Sequence, residues 1–185
     1  MGIITKDDGK KNTSLMIRMP SNLAEMIDIC VGQTHSSRPD YVIDGIRSFI
    51  HFICSNEAEI MKYIDEKKDA ARDVKIEFYY ESIKSLTQIY RNGAASASEK
   101  SRSDVSILLS IPKGLAAQID RTVERTRCFR NHQEFIRSAT VYLTMSQGID
   151  NTNSMLIEGF LESNQSTKDL RAELERLKNS MEKKD

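Results

Sequence analysis

What this chain lacks narrows its chemistry before any motif is read. Its three cysteines, Cys30, Cys54 and Cys128, form no C-x-x-C pair and no even-numbered set. That pattern excludes a disulfide framework and fits reduced thiols acting as small core hydrophobes in a cytoplasmic protein. His51 and Cys54 stand three apart on a helical pattern, but with no second ligand pair near them neither a metal nor any other cofactor is expected. The opening residues carry Lys6, Asp7, Asp8, Lys10 and Lys11 in place of the apolar centre of a signal peptide. No stretch approaches ~18 continuous apolar residues, so no membrane partner is expected. A glycine-rich phosphate loop, a paired-carboxylate site and a nucleophile at a recognisable distance from a histidine are all missing, and the chain does not read as an enzyme.

Charge of one sign is also lacking overall, since basic and acidic residues number 27 each. The distribution is uneven, however. From Arg91 to Arg137 nine basic residues stand against five acidic ones, whereas the tracts 55–90 and 150–185 each hold six basic and eight acidic residues. The first region is therefore the basic part of the chain, and the other two read as solvated helices.

Proline is scarce, and two of the three prolines mark the same place in a duplicated pattern. Residues 14–38 and 106–130 align without gaps at nine identities: Ser14/Ser106, Pro20/Pro112, Leu23/Leu115, Ala24/Ala116, Ile27/Ile119, Asp28/Asp120, Val31/Val123, Thr34/Thr126 and Arg38/Arg130. Ordinary residue usage gives roughly one or two such matches. The copies lie 92 positions apart, beyond the ~20–50 residues of solenoid repeats, so the pattern reads as a duplicated unit.

Each copy begins as a strand. Over 13–19, Leu15, Ile17 and Met19 share one face while Ser14, Met16 and Arg18 share the other; Ile107, Leu109 and Ile111 are the inward set of the second copy. Pro20 ends the first strand, and Ser21 or Asn22 is expected to cap a helix carrying Leu23, Ile27, Cys30 and Val31. After a turn, Ser37 or Arg38 should start a second helix with Pro39 in its first turn and Tyr41, Val42, Ile46, Phe49, Ile50 and Ile53 on its apolar face. The second copy repeats this with Leu115, Ile119 and Val123, then Phe135, Ile136, Ala139 and Leu143, after a turn two residues longer.

Residues 56–91 read as amphipathic helix. Laid straight, such a helix would span ~54 Å, so a break is expected, and the charged stretch 65–69 is the candidate. Residues 92–103 are small and polar and read as a flexible tether, and residues 1–12 as a flexible arm. In the tail, Leu170, Leu174, Leu177 and Met181 follow a 4-3-4 spacing suited to a terminal helix that can pair chains into a homo-oligomer. The division expected is an arm at 1–12, a first unit at 13–54, helical linker and tether at 55–104, a second unit at 105–147 and a helical tail at 148–185.

Strand, proline-led helix, turn and second helix, in two copies over about 13–54 and 105–147, resemble the ribbon-helix-helix family of DNA-binding proteins, the Arc and MetJ class. The resemblance implies a mainly α fold in which two units share a short antiparallel β-ribbon whose outer face enters the major groove of double-stranded DNA. It places Ser14, Met16, Arg18, Ser106, Leu108 and Ser110 at the base-reading positions. Arg18 can pair with guanine through two hydrogen bonds and the serines can donate or accept. Met16 and Leu108 depart from the family's polar choice; they can pack on a thymine methyl, and burial elsewhere is the alternative for Leu108. The start of the second helix is where the family clamps a backbone phosphate, which assigns Ser36, Ser37 and Arg38 in one copy and Arg130, Asn131 and His132 in the other. Simple capping is a compatible role for Ser37 and Asn131. Arg121, Arg125 and Arg127 are either further phosphate contacts or solvated helix charges. The copies differ on the outer face, which permits an intrachain pseudo-dimer reading a non-palindromic site. The function expected is transcriptional regulation by sequence-specific DNA binding; the rival is an antitoxin-like or DNA-processing accessory protein acting through protein–protein contacts.

Overall fold

The computed structural model describes residues 11–101 and 103–147. Of the expected N-terminal arm, residues 1–10 lie outside the described residues, as does the whole expected tail helix with its leucine pattern. The elements run β1 (Asn12–Pro20), α1 (Ser21–Thr34), α2 (Arg38–Glu66), α3 (Arg72–Lys100), β2 (Asp104–Pro112), α4 (Lys113–Thr126) and α5 (His132–Ser146). Among the described residues the fold is mainly helical, with one two-stranded antiparallel sheet. None of these helices is long and apolar enough to cross a membrane.

The two strands of this one chain pair with each other. Their register runs from Asn12 opposite Pro112 to Pro20 opposite Asp104, with Met16 opposite Leu108 at the centre. Alternation then sorts the side chains: Ile17, Met19, Ile107, Leu109 and Ile111 are buried, while the intervening residues point away from the helices. A two-stranded ribbon is marginal in water by itself, so burial of this inner face holds it.

Pro20 and Pro112 end the strands in an extended conformation and serve as the N-caps of α1 and α4, without a side-chain cap. This differs from the expected cap at Ser21 or Asn22. The Ser21 N–H is satisfied across the chain instead, donating to the Ser103 carbonyl at 3.0 Å and to Ser101 Oγ at 2.9 Å. At the other end of the ribbon the Lys113 N–H donates to the Lys11 carbonyl at 3.2 Å. These two backbone bonds are equivalent under the 92-residue repeat, so each strand's following helix is tied to the start of the other strand.

The hairpin break expected at 65–69 falls at residues 67–71, between α2 and α3. α2 runs unbroken past residue 54 into the expected helical linker, to Glu66, with Ile53, Ile60 and Ile64 extending its buried stripe. One expectation about this segment needs correcting: residues 92–100 are not a tether, since α3 runs through Lys100. There Gly93, Ala94 and Ala97 share a buried helix face, and small side chains that look like linker composition permit close packing on α5 and the ribbon. That packing outweighs the ~1 kcal/mol a helical glycine costs relative to alanine.

The core is continuous from the ribbon to the hairpin. Its centre is the contact of α2 with α5, where Gly45 lies against Ala139 and Phe49 packs on Phe135 and Tyr142 with ring centroids 5.6 and 5.3 Å away. The Tyr41 hydroxyl, buried there, is hydrogen-bonded to Thr144 Oγ1 at 2.9 Å.

Candidate nucleic-acid interface

The strand alternation that buries Ile17 and Leu109 forces Ser14, Met16, Arg18, Ser106, Leu108 and Ser110 outward, and all six are exposed. Met16 is 55% exposed and Leu108 56%, so Leu108 is not buried elsewhere. Cross-strand pairs on this face are Ser14 with Ser110, Met16 with Leu108, and Arg18 with Ser106. Asn12 extends the row, its side-chain amide donating to Ser110 Oγ at 3.3 Å.

Arg137 braces the Arg18 end of the ribbon. Its guanidinium donates to the Arg18 carbonyl from Nε at 2.8 Å and Nη2 at 2.5 Å, and from Nη1 to Ser98 Oγ at 3.1 Å. One arginine on α5 thereby fixes β1 and α3 together. Its sequence neighbourhood reads as an ordinary helix-surface charge, so this role carries no local signal.

The two helix starts expected to hold phosphate are each occupied by a carboxylate of the chain. At α2, Ser37 Oγ accepts from the Asp40 N–H at 3.3 Å, and the Asp40 carboxylate takes hydrogen bonds from Ser36 Oγ and from Ser37 Oγ, the latter at 2.7 Å. These two hydroxyls hold the Asp40 pKa below the usual carboxylate value. At α5, Asn131 Oδ1 accepts from the Glu134 N–H at 2.9 Å, while Glu134 accepts from the Arg130 N–H at 2.7 Å and from Arg91 Nε at 3.3 Å. Neither Asp40 nor Glu134 is among the phosphate-clamp positions that the resemblance implies, yet each stands three residues after a Ser or Asn N-cap, the spacing of a capping box.

Arg38 and His132, the first residues of α2 and α5, turn back toward the preceding helix, whereas Arg130 lines a cleft with α3. Arg38 makes a two-pronged contact with Asp28, Nε and Nη2 each 2.5 Å from a carboxylate oxygen, and His132 Nε2 lies 2.6 Å from Asp120 Oδ1. Asp28 and Asp120 are one of the nine identities between the copies, so the repeat preserves an acidic anchor for whatever opens the second helix. The hydrogen bond from Arg38 lowers the Asp28 pKa. A depressed folded pKa contributes stability above the ordinary carboxylate pKa, and that contribution is lost as pH falls through the folded value. Both side chains are over a third exposed, so Arg38→Ala should cost under about 1 kcal/mol at neutral pH. The gap from wild type should close at acid pH, as urea titrations at the two pH values will read. A constant gap would mean that Arg38 acts through packing instead.

Of the remaining arginines, Arg125 pairs with Glu57 at 2.7 Å and Arg127 lies over the Tyr80 ring at 5.4 Å, both against the α2–α3 hairpin. Arg121 is exposed and donates to the Ala117 carbonyl at 3.2 Å.

Two shallow clefts lie near these groups. The one between α3 and the start of α5, about 550 Å³, carries Arg91, Arg130 and the bracing Arg137 against Glu99 and Glu134. The one beside Asn12 and Ser110, about 510 Å³, carries Asp40 and Asp44 against Arg47, with His35. No protein-family model, curated protein or solved structure matches this chain, so the functional reading rests on the ribbon itself.

Proposed function

We propose that the chain binds double-stranded DNA sequence-specifically by laying the outer face of its β-ribbon in the major groove, and that it regulates transcription in this way. A single observation carries the reading. Among the described residues the ribbon has no third strand and its outer face is exposed, displaying a row of arginine, serine and two large apolar side chains, while Ile17, Met19, Ile107, Leu109 and Ile111 of its inner face are buried. The B-DNA major groove, about 12 Å wide, admits such a ribbon and meets its side chains with base edges. Two strands from one chain supply both halves of that row, so one polypeptide is a complete ribbon without a second copy.

Selection of bound fragments from random duplexes by the full chain tests the proposal: a shared motif is expected, and none enriched above input would end it. Arg18→Ala should weaken binding to the selected site by about 1–3 kcal/mol and leave the melting temperature unchanged, because the side chain lies outside the core. Anisotropy titrations against selected and random duplexes separate the possible roles. Equal loss on both would reduce Arg18 to a phosphate contact, and no loss on either would remove it from the interface.

A further inference from the structure

Resting on that DNA-binding reading, we infer that the ribbon recognises a non-palindromic site in one fixed orientation. In it a guanine lies under Arg18, thymine methyls lie under the Met16–Leu108 pair at the centre, and no second guanine is read at the Ser14–Ser110 end. The register defines this order. Met16 and Leu108 are the middle pair of the ladder, so the pseudo-twofold between the copies passes between them, relating Ser14 to Ser106, Met16 to Leu108 and Arg18 to Ser110. The first pair is identical and the second is apolar in both copies. Arg18 against Ser110 is thus the one difference in polar chemistry across the six outward positions, and the asymmetry of the reading face is concentrated there.

Each position has a chemical counterpart in the groove. A guanidinium carries donors and no acceptor, and among the base edges guanine O6 and N7 together offer two acceptors to one such fork. A serine hydroxyl both donates and accepts and makes no comparable two-pronged contact. Met16 and Leu108 are two of the four exposed large hydrophobics among the described residues. Directly opposed strand residues stand ~5 Å apart at Cβ, so the two form one apolar patch. The thymine methyl is the apolar group of the major-groove edge. The surroundings of the two ends differ in charge as well: the cleft that holds Arg137, the brace of the Arg18 carbonyl, sets three arginines against two carboxylates, whereas the cleft at Ser110 sets Asp40 and Asp44 against Arg47.

Random-duplex selection with the full chain and two exposed-position variants decides the matter. Wild type should enrich a motif with guanine on one side only of an A·T centre. Arg18→Ser should lose the guanine, a roughly tenfold or greater loss of discrimination at that position. Ser110→Arg, which completes the pseudo-twofold, should convert the motif to a palindrome with guanine on both sides. Replacing central thymines by uracil should weaken wild type about fourfold per methyl removed, and should have no effect on the Met16→Ala/Leu108→Ala double variant. A palindromic wild-type motif, a Ser110→Arg protein that gains no second guanine, or indifference of wild type to uracil would overturn the assignment while leaving DNA binding intact. Failure of wild type to enrich any motif would instead overturn the DNA-binding reading beneath it.

Discussion

Ile17→Asp or Leu109→Asp unfolds the whole described domain, not the ribbon alone. Ile17 is 1% exposed and Leu109 is fully buried, on the face that meets the helices. An unpaired buried carboxylate costs several kcal/mol whether it stays charged or takes up a proton, against a total stability of about 5–15 kcal/mol for a domain. No separate unit survives the loss, because one hydrophobic cluster joins ribbon, helix pairs and hairpin. Circular dichroism melts should show no cooperative transition at 37 °C and above. Met16→Asp, one residue from Ile17 on the exposed face, is the control and should melt like wild type. If the two variants behaved alike, the assignment of inner and outer faces would be wrong, and with it the proposed reading surface.

The parts of this fold legible in the sequence are those governed by local periodicity. A strand alternates every residue and stops at a proline, so the faces of β1 and β2 could be read from residues 14–20 and 106–112, whereas their pairing was expected only from the resemblance to ribbon-helix-helix units. The cap at Ser37 was legible from the residues beside Pro39, and the break between α2 and α3 from the length an unbroken helix would span. What could not be read depends on partners distant in sequence. Gly93, Ala94 and Ala97 look like tether residues until a neighbouring surface is supplied, because small side chains serve loose linkers and close helix packing equally well. The Asp28/Asp120 identity was visible, but its meaning was not. Its partners Arg38 and His132 lie across turns of unequal length and are different residues. The brace from Arg137 to the Arg18 carbonyl spans 119 positions and uses a backbone acceptor, which no side-chain pattern can announce.

The proposed asymmetry of reading sits on a pseudo-symmetric frame, and α2 and α5 meet in that frame with no room to spare. Past the longer turn of the second copy, Gly45 corresponds to Ala139, so α2 and α5 meet at equivalent residues near the pseudo-twofold. A Cβ added at Gly45 would stand 3.0 Å from the Ala139 carbonyl oxygen, 3.4 Å from its carbon and 3.5 Å from Leu143 Cβ. The nearest of these atoms is backbone in the middle of a helix and cannot rotate away. Gly45→Ala should therefore be no more stable than wild type, although alanine is favoured over glycine by about 1 kcal/mol in a helix interior. Gly45→Val adds two methyls on a stiff branch to the same gap and should destabilise by about 3 kcal/mol, the upper end of ordinary overpacking. For a domain of this size that is a fall in melting temperature of roughly 6–12 °C. Urea titrations of the three proteins will measure the series. A valine variant as stable as wild type would mean that α2 and α5 can part without cost, and the rigid contact that carries both helix pairs beneath the ribbon would have to be sought elsewhere in the α2–α5 interface.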